Sequence, residues 1–181
     1  MSPDSGTRRR LDGRFRIRQA ALEDLPALAA MKARAWRESY DFDEAVFARQ
    51  DELAAQTAVA WADAARRGGY FWGVIDTHAP EPEGGGHAWV GVAHATVTAD
   101  PQAPTSLELA MIYLLDVAKG SGIADRLLQM AMGDAPAHLW VLEHNPRALA
   151  FYRRHGFEPD GVVADLTGSL AGHREIRLVR G

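Results

Sequence analysis

The segment Ser106–Val117, "SLELAMIYLLDV", runs without a break into Ala118–Met132, "AKGSGIADRLLQMAM". The first reads as an apolar strand that needs covering, the second as a tight glycine turn opening an amphipathic helix. A strand delivered straight into a helix leaves one economical solution: the helix lies against a sheet. The rest of the chain supplies that sheet. Arg14–Arg18, "RFRIR", alternates as a strand. In the next stretch Leu22, Leu25, Leu28, Ala29, Met31 and Ala35 recur at helical spacing, with Pro26 after the acidic pair Glu23 and Asp24 as in a first turn. A second helix is predicted over Glu44–Arg66, ending before Gly68 and Gly69. "GYFWGVID" and "HAWVGVAHATVT" read as an antiparallel pair of strands around the turn cluster "THAPEPEGGG". After the glycine loop and its helix come a short buried strand "HLWVLE", a helix over Asn145–His155, and terminal strands "GVVADLTG" and "HREIRLVR". The order β α α β β β α β α β β predicts an α/β single domain, a mixed sheet flanked by helices, with Ser106–Val117 its longest and central strand.

The chain's 181 residues, 47% of them hydrophobic, suffice for one full core. Its net charge of -4 argues against a nucleic-acid partner. Without cysteine there is no disulfide, thiolate metal site or cysteine nucleophile. No run of eighteen apolar residues predicts a membrane span. The opening "MSPDSGTRRRLDGRF" lacks the apolar segment of a secretory signal, so a cytoplasmic location is expected. Residues 1–13 read as a poorly ordered tail, with Arg8–Arg10 as solvated charge. The seven histidines form no H-E-x-x-H pattern and are read as surface or core, with no metal expected. Ser106, Ser121 and Ser169 lack the context of an exposed nucleophile.

The loop "KGSG" carries the chemistry. A helix start leaves about four N–H groups without partners, and the helix dipole favours an anion there. Gly120 and Gly122 permit positive φ and let a ligand approach the backbone, and Lys119 adds a cation. A phosphate group fits; so does a plain turn that needs two glycines. A nucleotide-triphosphate loop is excluded, because no Gly-Lys-Ser/Thr follows. A dinucleotide fingerprint, with Glu143 as ribose ligand, fails because Asp125 stands where a third small residue is required and too little chain remains for a second half.

"KGSGIA" resembles the Gln/Arg-x-x-Gly-x-Gly/Ala signature of the GNAT superfamily of N-acetyltransferases, with Lys119 in the basic position and Gly122 and Ala124 in the small ones. "EHNPRALAFYRRHGFEP" resembles the same family's next motif, Asn-x-x-Ala-x-x-Phe-Tyr-x-x-x-Gly-Phe, at Asn145, Ala148, Phe151, Tyr152, Gly156 and Phe157. The resemblance covers most of the chain from Phe15 on. It implies a mostly antiparallel twisted sheet, an N-acetyltransferase domain over residues 14–181, and direct attack of an amine on acetyl-CoA. Lys119, Gly120, Ser121, Gly122, Ile123 and Ala124 would hold the pyrophosphate of that co-substrate. The backbone of Met111, Ile112, Tyr113 and Leu114 would run beside its pantetheine arm, with Asn145 near it. Two departures are Lys119 in place of Gln or Arg, and the negative charge of Asp125 in the first helical turn.

The residues of the second motif also have structural readings. Asn145 before Pro146 is an N-cap, Gly156 a C-cap, and Phe151 and Phe157 core. Asn145 and Tyr152, seven apart, project from nearly one side of the helix. By resemblance Tyr152 is the general acid for the departing thiolate; otherwise it is core. A lysine-type amine, with a pKa of ~10.4, needs a proton acceptor at neutral pH. Glu108, a carboxylate inside an apolar strand, is the candidate base, acting directly or through water; its structural reading is an outward-facing residue at a strand start. "ESYDFDEAVF" places Glu38, Asp41, Asp43 and Glu44 between two helices, as a polar loop capped by Asp43 or as a region attracting a cationic acceptor. Trp36, Tyr40 and Phe42 would line an apolar wall there or belong to the core. The expected acceptor is a small-molecule or peptide amine, with a homodimer left open. A silent CoA-binding module and a dinucleotide-dependent oxidoreductase are the alternatives.

Overall fold

The computed structural model describes residues 13–181. Residues 1–12, with Arg8–Arg10 and most of the expected tail, lie outside the described residues. Among the described residues the order is β1 (Phe15–Gln19), α1 (Leu25–Ser39), α2 (Glu44–Arg66), β2 (Tyr70–Asp76), β3 (Trp89–Val97), β4 (Leu107–Leu114), α3 (Ile123–Met132), β5 (Ala137–Leu142), α4 (Pro146–Arg154), β6 (Glu158–Asp165) and β7 (Arg174–Arg180). Both the order and the bounds of the second helix agree with the sequence pattern.

Several boundaries differ by a few residues, and the strand expected over Ser106–Val117 stops at Leu114 before a 3₁₀ turn at Asp116–Ala118. Glu23 and Asp24 form a separate 3₁₀ turn before α1, in which the Asp24 carboxylate accepts the Ala21 N–H and an Arg18 guanidinium N–H, both at 2.8 Å. β6 starts at Glu158, directly after Gly156 ends α4, and stops at Asp165. β3, at nine residues, is one longer than β4.

The strands form one sheet in the order β1-β2-β3-β4-β5-β7-β6, with β4 at its centre. Neighbours are antiparallel except β4 and β5. That parallel pair shares a single register match, Glu108 with His138, near the start of both strands. Beyond it the strands part, which leaves the β5-facing edge of β4 without a ladder. β4 also bulges: His94 faces Met111 and Ala95 faces Leu109, so Ala110 has no partner in β3.

The core falls in two parts either side of this split. One joins α1 and β1–β3 through Leu25, Leu28, Phe71, Val74 and Val92, with Ile123 and Leu127 of α3. The other gathers Leu109, Leu139, Val141 and Leu178 under Leu128, Met132, Tyr152 and Phe157. A smaller aromatic cluster of Trp36, Val46 and Phe47, with Tyr40, Phe42, Tyr113 and Leu170 packed against it, ties the first two helices to the β6–β7 connection.

Candidate active site

The parting of β4 and β5 opens a cleft of about 650 Å³. Its walls are Leu109–Leu114 of β4 and Trp140–Leu142 of β5, and the glycine loop, α4 and the C-terminal turn of α1 surround it. Of the sequence-predicted residues, Ile112, Tyr113, Leu114, Lys119, Gly120, Gly122, Ala124, Asn145 and Tyr152 line it. Ser121, Ile123 and Glu108 do not. Ile123 is fully buried in the core, and the Ser121 hydroxyl is taken up locally, donating to the Ala118 carbonyl at 2.6 Å.

At the loop, Gly120 and Gly122 have φ of 78° and 86°, and Gly122 is the N-cap of α3 without any side-chain cap bond. A Cβ at either would meet no protein atom within 4 Å. The left-handed backbone therefore favours glycine at both positions, and the space in front of them is open. Lys119 leans across this end, with Nζ 2.6 Å from an Asp116 carboxylate oxygen and donating to Ser39 Oγ at 2.9 Å. The Lys119 bond holds the Asp116 carboxyl below the usual carboxylate range. Asp125 is neutralised in place, because Oδ1 lies 2.7 Å from His155 Nε2 and 3.3 Å from an Arg154 nitrogen. Arg147 and Arg154, one helical face of α4, also line the cleft. Their seven-residue spacing was a readable signal. The Ile123 N–H is already taken by Ser121 Oγ at 3.3 Å; the glycine N-cap of α3 with three cations around it suits a doubly charged phosphate group.

Deeper in, Asn145 does two jobs. Its Oδ1 caps α4, accepting the Ala148 N–H at 3.0 Å, and its side chain lies near enough to the Tyr40 hydroxyl to offset part of the rise that burial gives that phenol. Tyr152 is buried against Phe157 and Leu128, and also lines the cleft. Burial pushes its phenol well above the usual 10, helped by Tyr113 and Tyr40 nearby. Burial raises Tyr113 and Tyr40 too. Three protonated phenols therefore face one cleft. Tyr40 comes from the end of α1, 112 residues before Tyr152 in the chain, so no local pattern could unite them.

Glu108 is set back, 28% exposed, with Oε2 3.8 Å from His138 Nε2. Glu175 of β7 lines the cleft instead, and the sequence reading had no signal for it beyond its place in a terminal strand. Its carboxyl is raised, first by burial and then by the Glu108 charge. The cleft can thus hold an anion at one end, an extended amide-bearing arm along β4, and a proton donor and acceptor at the other. Among the described residues no group of histidines and carboxylates is placed to hold a metal ion, and no helix is long and apolar enough to cross a membrane.

Residues 67–159 match the profile of the acetyltransferase (GNAT) domain. A Mycobacterium tuberculosis protein named "Probable N-acetyltransferase" is 26% identical over 174 residues, covering 92% of this chain and 94% of its own. The PaiA N-acetyltransferase of Thermoplasma acidophilum, solved with coenzyme A, superposes with a TM-score of 0.61 at 19% identity, over 90% of this chain and 97% of that one. A phosphinothricin acetyltransferase of Sinorhizobium meliloti, solved with acetyl-CoA, does so with a TM-score of 0.62 at 20% identity, over 92% and 88%. With the profile spanning over half its length, the chain belongs to the GNAT acetyltransferase family.

Proposed function

We propose that the protein moves an acetyl group from acetyl-CoA to an amine by direct attack on the thioester. The observation that carries this reading is the split of β4 from β5, whose cleft joins the glycine N-cap of α3 to the buried Tyr152. Lys119, Gly120, Gly122 and Ala124, with Arg147 and Arg154, would hold the pyrophosphate, while Ser121 and Ile123 shape the loop from behind. The unladdered edge at Met111–Leu114 would bond the amides of the pantetheine arm, with Asn145 beside it. The bulge at Ala110 loosens backbone N–H groups that would polarise the thioester carbonyl.

The bookkeeping of the step is simple. The amine nitrogen bonds the acetyl carbon and the carbon–sulfur bond breaks. One proton of the ammonium leaves to a base and on to solvent, and a second ends on sulfur. Tyr152 donates at the sulfur. Its phenol holds its proton more tightly than an ordinary thiol, pKa ~8.5, so it acts first as a hydrogen-bond donor to the developing thiolate. Glu108, set back from the lining, would receive the amine proton through a water. Glu108→Gln should then flatten the acid limb of the pH–rate profile, and an unchanged limb would remove it from the role. The homodimer left open by resemblance would pair the exposed outer strand β6, which light scattering would read.

The deciding experiment is a calorimetric titration with acetyl-CoA and, as control, NAD. Binding of acetyl-CoA alone, at about micromolar affinity, is the expected outcome. No binding would leave the glycine loop as a turn and the catalytic assignments without a basis.

A further inference from the structure

Three carboxylates line the cleft, and two are already satisfied. Glu38 pairs with Arg34 at 2.8 Å and accepts the Asp116 N–H, and Asp125 is held by His155 and Arg154. Glu175 has neither an ion pair nor a side-chain hydrogen bond with any described residue. Its β7 neighbours are engaged elsewhere, Arg174 with Glu143 and Arg177 with Asp160, each at 2.7 Å. A half-buried carboxylate left without a cation costs stability unless a ligand supplies one.

The register fixes the side from which Glu175 enters. It pairs with Leu142, and Leu142, Trp140 and His138 alternate along one face of β5, opposite Leu139 and Val141. His138 pairs with Glu108, so the two glutamates share that face. Leu139 and Val141 pack with α3 and Tyr152 on the other face, the side of the anion-binding loop. The unpaired carboxylate therefore meets the cleft from the side away from the phosphate end.

Aromatic rings stand on Glu175's side. The Trp36 and Tyr40 rings lie 5.2 Å apart edge to face and Trp36 and Tyr113 are 6.4 Å apart, with Lys32 Nζ over the Trp36 and Tyr113 rings at 5.5 and 5.9 Å. Leu166 and Leu170 of the β6–β7 connection add an apolar wall. This side is also roofed, because Phe42 before α2 touches His173 before β7 with ring centroids at 4.9 Å. That contact narrows the approach on this side, which favours a small molecule over a polypeptide chain.

We propose that the acceptor is a small organic cation, a primary ammonium on an apolar body, held by Glu175 on the aromatic side of the cleft. The proposal rests on the acetyl-transfer reading above and names its substrate class. The carboxylate attracts an ammonium, and the apolar body replaces water against Leu166 and Leu170. A free amino acid is rejected, because its carboxylate would enter beside Glu175 and Glu108. Glu175 is then the specificity-determining residue of the acceptor side.

The test is calorimetric binding of phenethylamine to the full chain, with and without CoA, against phenylalanine and phenethyl alcohol, which keep the body and change the charge. The expected result is that phenethylamine binds at least about tenfold more tightly than either, and that Glu175→Gln abolishes the preference while acetyl-CoA affinity stays within about twofold. Equal binding of phenylalanine by the native chain, or an intact preference in Glu175→Gln, overturns the proposal. Loss of acetyl-CoA binding would count against the transfer reading alone, since the amine preference is also read without CoA.

Discussion

Tyr152 shows how one residue serves stability and chemistry together. Its ring fills the core beside Phe157, and the burial that results keeps its phenol protonated in any buffer in which an amine would react. Tyr152→Phe keeps the ring and loses only the donor. Turnover should fall about a hundredfold, with acetyl-CoA affinity within about twofold; single-turnover kinetics beside calorimetry would read both. Unchanged turnover would return Tyr152 to the core alone. Glu175 carries the opposite tension. Its folded pKa stands above the ordinary ~4.3, so its contribution favours the fold below that value and is lost as pH rises through the raised one. Glu175→Gln should therefore raise Tm at pH 7.5, with the gain vanishing near pH 4. A gain that persists at pH 4 would show that the carboxylate is not the source of the strain.

At the scale of elements, α4 is pinned at its first residue. The Asn145 cap bond to Ala148 N–H fixes where the helix begins, and the same side chain reaches Tyr40 at the end of α1. Asn145→Ala should cost about 1 kcal/mol of stability through the cap and also loosen Tyr40. Asn145→Asp keeps a capping oxygen and removes the amide donor. It should hold Tm near that of the native chain and still lower kcat/KM for the amine. If both variants lose activity only in proportion to Tm, the link to Tyr40 carries no function. α3 is built differently: its N-cap is Gly122, which has no side chain to cap it, and the Ser121 hydroxyl accepts the Ile123 N–H at 3.3 Å.

Across the whole molecule, the split sheet sets the behaviour. β4 and β5 part after one register pair, so the two core clusters are bridged by fewer backbone bonds than an unbroken sheet would give. A ligand lying between the strands should tie the halves together. At a hundredfold excess over Kd, linkage adds about 2.7 kcal/mol. For a chain of this length that corresponds to roughly 5–11 °C in Tm. Acetyl-CoA should produce such a shift in a thermal melt and NAD none. A shift with both would mean that the site reads phosphate alone.

The order of elements, the bounds of α2, the glycine loop and the Asn145–Tyr152 face were legible in the sequence, because each follows from local periodicity or turn chemistry. Boundaries slipped where neighbours compete for the chain, as where Asp24 turns back to the Ala21 N–H and splits a 3₁₀ turn from α1. What only the tertiary structure decided is which residues meet. Glu108 looked central in an apolar strand, but register sets it back beside His138, while Glu175 reaches the cleft from a strand 67 residues later. Tyr40 joins Tyr152 only because α1 and α4 flank one split in the sheet. Local sequence sets φ, ψ and amphipathic faces within a few residues. The meeting of distant side chains depends on strand order and register, which are settled by the burial of the whole core.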